Sequence, residues 1–214
     1  GTLLITKGAQ IMAIGQETDP IIFTSNKSMK KAGDWGGVVV LGDAPINKFG
    51  SVGSYNLDLD PALTVYGGNN EASNSGVLKF VRIEFAGKKV KGLDSFNGLT
   101  IAGVGNKTVV ENIMVSYSGG DSFAFYGGDV NASQLVSYKS INDDFKFTQG
   151  IQCRLYNSLA VRSSYLSSNK DGSRCIEVKA YEKKSETDFT RKSTFVSASN
   201  LTLLNDSENI KADV

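Results

Sequence analysis

The chain has 214 residues, with 23 Lys+Arg against 22 Asp+Glu, 23 Gly, 3 Pro, 2 Cys and no His, and 40% of its residues are hydrophobic. That length holds one domain with a sizeable core, and the absence of His excludes Ser-His-Asp and Cys-His machinery, His-ligated zinc and an imidazole proton shuttle. A net charge of +1 gives no footprint for nucleic acid, and no run approaches the roughly 18–20 apolar residues of a transmembrane segment.

Taken in chain order, short apolar or alternating runs rich in β-branched and aromatic residues occupy 3–6, 21–24, 37–41, 77–85, 99–104 and 109–117. Clusters such as Gly67-Gly68-Asn69-Asn70, Ser73-Asn74-Ser75-Gly76 and Ser118-Gly119-Gly120-Asp121 punctuate them. This is the grammar of strands and turns, and no helical apolar stripe is sustained for three turns. Cys153 and Cys175 are too few for a disulfide framework and are read as unpaired thiols.

An internal repeat chooses among the all-β architectures. Val-Ser-Tyr recurs after 21 residues (Tyr117 to Tyr138), and Asp-x-Phe-x-Phe after 22 (Asp121 to Asp143). The one-residue difference is read as a turn insertion between Tyr138 and Asp143. A looser third copy runs through Ser158-Leu159-Ala160-Val161, Asp171-Gly172 and Cys175-Ile176-Glu177-Val178, and a fourth begins at Asn200-Leu201-Thr202-Leu203. A repeat of this length built from short strands predicts a right-handed, single-stranded parallel β-helix with coils of about 22 residues. Alternation then turns Phe123, Phe145, Phe125 and Phe147 inward as two aromatic stacks. The whole chain, 1–214, is one domain with two excursions: a loop insertion at 43–75 and a charged loop at 181–193. Residues 205–214 carry no capping signal, so end-to-end self-association is expected of the open coil edge.

Gly8-Ala9-Gln10-Ile11-Met12-Ala13-Ile14-Gly15, then Asp19-Pro20-Ile21-Ile22-Phe23-Thr24-Ser25, carry a resemblance. With Asp34-Trp35-Gly36-Gly37-Val38, Tyr66-Gly67-Gly68 and Asn97-Gly98-Leu99-Thr100, they make the chain similar to secreted β-helix proteins of the pectin-lyase-like superfamily, abundant in Bacteroidetes. The resemblance spans residues 3 to 204 and implies export to the periplasm or outer surface. It implies no particular reaction, because most such proteins have no established activity.

The candidate chemistry is carboxylate chemistry. The repeat places Asp121, Asp143 and Asp144 at one corner of neighbouring coils, about 4.8 Å apart. Paired carboxylates separated by about 6.5–9.5 Å suit inverting glycoside hydrolysis; the alternative is that each Asp caps a turn. Asn142-Asp143-Asp144 is similar to the Asp-Asp motif of polygalacturonases, but their Gly-His-Gly motif has no counterpart in a chain without His. A lyase on an acidic polysaccharide is the other enzymatic option, with Lys146 and Glu177 as an outward rung, and Ca²⁺ is expected as a cofactor only there. Trp35, Tyr66 and Tyr126 are candidate stacking platforms for sugar rings if exposed, and burial of Trp35 under the insertion is the competing reading. The expectation favoured by these features is an exported, non-catalytic β-helix protein that binds polysaccharide or cell-surface glycan or acts as a surface scaffold, without cofactor. The alternative is a polysaccharide lyase or glycoside hydrolase.

Overall fold

The computed structural model describes residues 1–55, 57–162 and 173–205. Six coils follow one another. The first holds β1 (Thr2–Ile5), β2 (Ile11–Ile14) and β3 (Ile21–Phe23). The second holds β4 (Gly37–Leu41), then a two-stranded antiparallel excursion of β5 (Gly53–Ser54) and β6 (Val65–Tyr66), then β7 (Gly76–Glu84). Next come β8 (Leu99–Val104) with β9 (Val109–Ser116), and the long β10 (Phe123–Tyr138), which makes a coil alone. The last two coils are β11 (Phe145–Thr148) with β12 (Gln152–Arg162), and β13 (Ile176–Val178) with β14 (Phe195–Asn205). Apart from the β5–β6 pair, every pairing of these strands among the described residues is parallel, as in a right-handed β-helix.

One face, here face A, stacks β1, β4, β8, the start of β10, β11 and β13. Its inward rows run Leu3–Val38–Leu99–Phe123–Phe145–Ile176 and Ile5–Val40–Ile101–Phe125–Phe147–Val178. Both aromatic stacks form, with ring centroids 5.4 Å apart for Phe123–Phe145 and 5.0 Å for Phe125–Phe147. The second face, face B, stacks β2 and β3, β7, β9, the rest of β10, β12 and β14.

Register corrects the repeat arithmetic. β9 and β10 pair Ile113 with Leu135 and Ser116 with Tyr138, an offset of 22 that equals the offset on face A. There is no extra residue between Tyr138 and Asp143; the Val-Ser-Tyr match lies one position out of register. The fourth copy also starts earlier, since β14 pairs from Phe195 onward. Of the third copy, Asp171-Gly172 lies outside the described residues, whereas Ile176–Val178 takes the expected place beside β11.

Left-handed backbone at repeating positions bends each coil. Phe80, Asn112, Gln134, Asn157 and Asn200 have φ between 50° and 55°, at the bend within face B. A second set, Phe85, Tyr117 and Lys139, bends the chain away from that face. Asn tolerates this region because its short side chain bonds locally, and Asn200 donates to Asn157 Oδ1 at 2.7 Å across the last two coils. Replacing Asn112 by Val is therefore expected to cost about 1–2 kcal/mol. Asn112→Gly should change the urea midpoint little, and equal losses for both would remove the backbone explanation.

Outside face A lies a second core. Val39, Leu41 and Ala102 point away from the coil interior, and Ile46, Tyr55, Leu57 and Tyr66 of the insertion, with Phe96, cover them. This is why Gly37-Val38-Val39-Val40-Leu41 is an unbroken apolar run: the strand is buried on both sides. The charged loop then straps the insertion down. Lys48 Nζ lies 2.7 Å from Glu186, Lys192 Nζ lies 2.7 Å from Glu71, and Asp188 donates its N–H to the Asn47 carbonyl. Cys153 and Cys175 are free thiols.

Candidate functional site

Of the carboxylates singled out from the sequence, Asp121 and Asp143 meet at one corner, just before each coil enters face A, and each accepts a backbone N–H from the following coil, as Asn97 does one coil earlier. Asn97 Oδ1 accepts from the Asp121 N–H at 3.1 Å, Asp121 Oδ1 from that of Asp143 at 3.2 Å, and Asp143 Oδ1 from that of Arg174 at 2.8 Å. Asn142 Nδ2 adds a 2.6 Å bond to Asp121 Oδ1. The ladder satisfies donors that a turn would otherwise bury unpaired.

Lys146 and Glu177 occupy adjacent positions on the outer side of face A, as strand alternation requires. Lys146 Nζ lies 3.9 Å from Asp121, 3.7 Å from Glu177 and 3.7 Å from Glu182, while Glu177 also meets Lys179 at 2.9 Å and Arg174 at 3.2 Å. This rung is no exposed surface pair, since the Lys146 and Glu177 side chains are only 15% and 9% exposed. The three carboxylates around Lys146 outweigh the effect of its burial and hold its pKa above the ordinary lysine value. Arg82 and Glu84 pair along one strand at 2.8 Å, with Arg82 45% and Glu84 15% exposed.

Asp144 belongs to a different environment. It faces the interior, where Ser137 and Ser140 donate to its Oδ1 and Arg162 Nη1 donates to its Oδ2 at 2.7 Å. Arg162 also reaches the carbonyls of Arg174 and Asn142, each at 3.0 Å. Sequence reasoning did not find Arg162 or these serines. Ser118 and Ser140, each 22 residues apart in the repeat and both buried, were the available signal.

Burial raises the pKa of all three aspartates. For Asp143 the value rises from near 3.8 to about 7, first through burial, then through the Asp121 charge. Lys146 opposes the rise at Asp121, and Arg162 opposes it at Asp144.

The aromatic candidates are separated. Tyr66 is buried in the outer core, where its hydroxyl donates to Gln149 Oε1 at 2.7 Å, so its ring presents no stacking surface. Tyr126 lines the same core and accepts from Asn97 Nδ2 at 3.4 Å. Trp35 does not lie under the insertion: it packs against the main core, and its Nε1 donates to the Glu84 carbonyl at 2.8 Å.

Among the described residues no group of three or more Cys, Asp or Glu side chains is arranged to hold a metal ion, and no helix is long and apolar enough to cross a membrane. Comparison with curated proteins and with solved structures gives no match. The model of one family, described as a pectate-lyase-like β-helix domain, matches residues 2–213. With the parallel coils and their stacked interior rows, that match over nearly the whole length places the chain in the pectate-lyase-like β-helix domain family.

Proposed function

We propose that this domain is an exported, non-catalytic β-helix module that binds glycan or serves as a scaffold at the periplasm or outer surface. The observation that carries the reading is the use made of the carboxylates. Asp121 and Asp143 hold successive coils together and Asp144 neutralises Arg162. Groups so committed are poorly placed to move protons on a substrate. Support for export comes from the resemblance to secreted Bacteroidetes proteins. Self-association by coil edges belongs to the same proposal, supported by the exposed Phe195, Leu203 and Leu204 on β14.

One observation favours the enzymatic reading. A carboxyl whose pKa lies near 7, beside a second carboxylate, has the protonation state that a general acid needs. A single set of measurements separates the two. The protein is applied to a glycan array and incubated with a panel of acidic and neutral polysaccharides, with light scattering on the same sample. The non-catalytic reading expects retention or stacking without product. Release of reducing ends or unsaturated uronides that Asp143→Asn abolishes would establish the enzyme instead. An array with no retention would leave the scaffold role alone.

A further inference from the structure

Where face A turns into face B, both excursions wall a cleft of about 270 Å³, far from the aspartate corner. Its floor is the bare backbone of Gly128 and Gly150, with Pro45 and Ile46 beside it. Neither glycine can be exchanged for a larger residue without strain, since φ is +93° and +82° and a Cβ on Gly128 would lie 2.3 Å from the Val104 carbonyl oxygen. The space falls below the roughly 300–1,000 Å³ of pockets for drug-sized ligands, so it suits a unit of single-ring size.

The polar lining is specific in what it leaves over. Lys192 is paired with Glu71 at 2.7 Å and Arg191 Nε lies 3.3 Å from Asp188, so each cation has a carboxylate, but the buried Arg191 Nε–H makes no hydrogen bond among the described residues. Gln152 donates its side-chain amide to the carbonyls of Gly150, Ile151 and Ser193 at 3.0, 3.3 and 2.8 Å. Those three bonds fix the amide's orientation and leave Oε1 without a hydrogen bond among the described residues. Asp129 is half-buried, and its carboxylate makes no hydrogen bond or ion pair among them. The groups left over are thus the acceptors of Asp129 and Gln152 and the Arg191 Nε–H donor, with Asp129 the carboxylate that has no ion pair. They call for a ligand whose hydroxyls can both donate and accept and that brings no negative charge. Vicinal hydroxyls supply the donors, and the C–H face of a sugar ring matches the glycine and proline floor.

We propose that this cleft binds one neutral pyranose unit, with the Asp129 carboxylate and Gln152 Oε1 accepting from its hydroxyls, and that it disfavours uronates. The inference rests on the glycan-binding reading above and gives it a place and a sugar class. An acidic sugar would set its carboxylate against Asp129, with both neighbouring cations already paired.

The test is a ¹H–¹⁵N titration of the whole chain with the methyl glycosides of glucose, galactose and mannose, and with galacturonate. Saturable shifts are expected at the Gly128 and Gly150 amides and the Gln152 side chain for at least one neutral glycoside. Galacturonate should bind more weakly. Asp129→Asn, which keeps the shape and removes a charged acceptor, should weaken binding about tenfold or more. An unchanged Asp129→Asn spectrum without ligand shows that the fold is intact. Shifts confined to another surface, or no glycoside binding from a protein that glycan arrays retain, would overturn the cleft and leave the glycan reading standing. Silence in both assays overturns both, and galacturonate binding as tightly as the neutral glycosides overturns the sugar class.

Discussion

Replacing Asp143 by asparagine is expected to flatten the stability of the domain between about pH 4 and pH 7 and to stabilise it above that window. The sign follows from proton counting. In the unfolded chain Asp143 loses its proton near pH 3.8, whereas in the folded domain it keeps it to about 7. Between those values the native state binds the extra proton, so stability falls as pH rises through the window. Below both values the group contributes nothing to the slope. Burial is the first cause and the neighbouring Asp121 charge the second; Glu177 adds to the rise, and the Arg174 N–H and the Lys146 ammonium oppose it. A shift of this size corresponds to at most about 4 kcal/mol, and coupling with Asp121 makes about 1–3 kcal/mol the expected gain at high pH. Asparagine keeps a side-chain oxygen for the Arg174 N–H, so the coil contact survives while the charge goes. Urea denaturation of both proteins at about pH 5 and pH 8 reads the effect. A wild-type chain that grows more stable across the window, with Asp143→Asn less stable at the upper end, would sink the argument.

The same corner shows what a sequence can reveal and what it hides. Asp121 and Asp143 were visible because they stand two residues before phenylalanines that must stack, so one repeat located both the ladder and the aromatic rows. The insertion was visible as the place where Pro45, Pro61 and the Gly turns break the rhythm. The true period on face B was not. Its bends need left-handed backbone, and the chain meets that need with Phe, Asn, Gln, Tyr and Lys at equivalent positions. A conformation served by so many residue types leaves no signature, and Val-Ser-Tyr offered a false register instead. The burial of Lys146 and Glu177 was hidden for another reason. Alternation correctly turns them outward, but residues from distant segments make that outer side an interior. The cleft is hidden likewise, because its walls come from separate excursions joined by contacts such as Lys192 with Glu71 and the Asp188 N–H with the Asn47 carbonyl.

Arg162→Met is expected to be among the most damaging single changes outside the aromatic stacks, at about 3–5 kcal/mol. The Arg162 and Asp144 side chains are 4% and 0% exposed, so neither charge has water to fall back on. With Arg162 gone, Asp144 keeps the hydroxyls of Ser137 and Ser140 but loses its one paired cation among the described residues, and the carbonyls of Asn142 and Arg174 lose the guanidinium. Burial already pushes the Asp144 pKa upward against the pull of Arg162. Without that pull the cheapest course is to protonate, so the penalty should shrink as the pH is lowered. In a domain of this size each kcal/mol moves the thermal midpoint by roughly 2–4 °C, which places the expected drop near 10 °C. Asp144→Asn is the companion variant, and the double replacement decides the mechanism. If the cost is an unpaired buried charge, Asp144→Asn combined with Arg162→Met should be less damaging than Arg162→Met alone, with a coupling of about 1–3 kcal/mol in a double-mutant cycle. Additive losses would instead assign Arg162 a packing role through its aliphatic stem and its carbonyl bonds. A loss below about 1 kcal/mol would show that water reaches this corner and that the pair behaves as a surface ion pair.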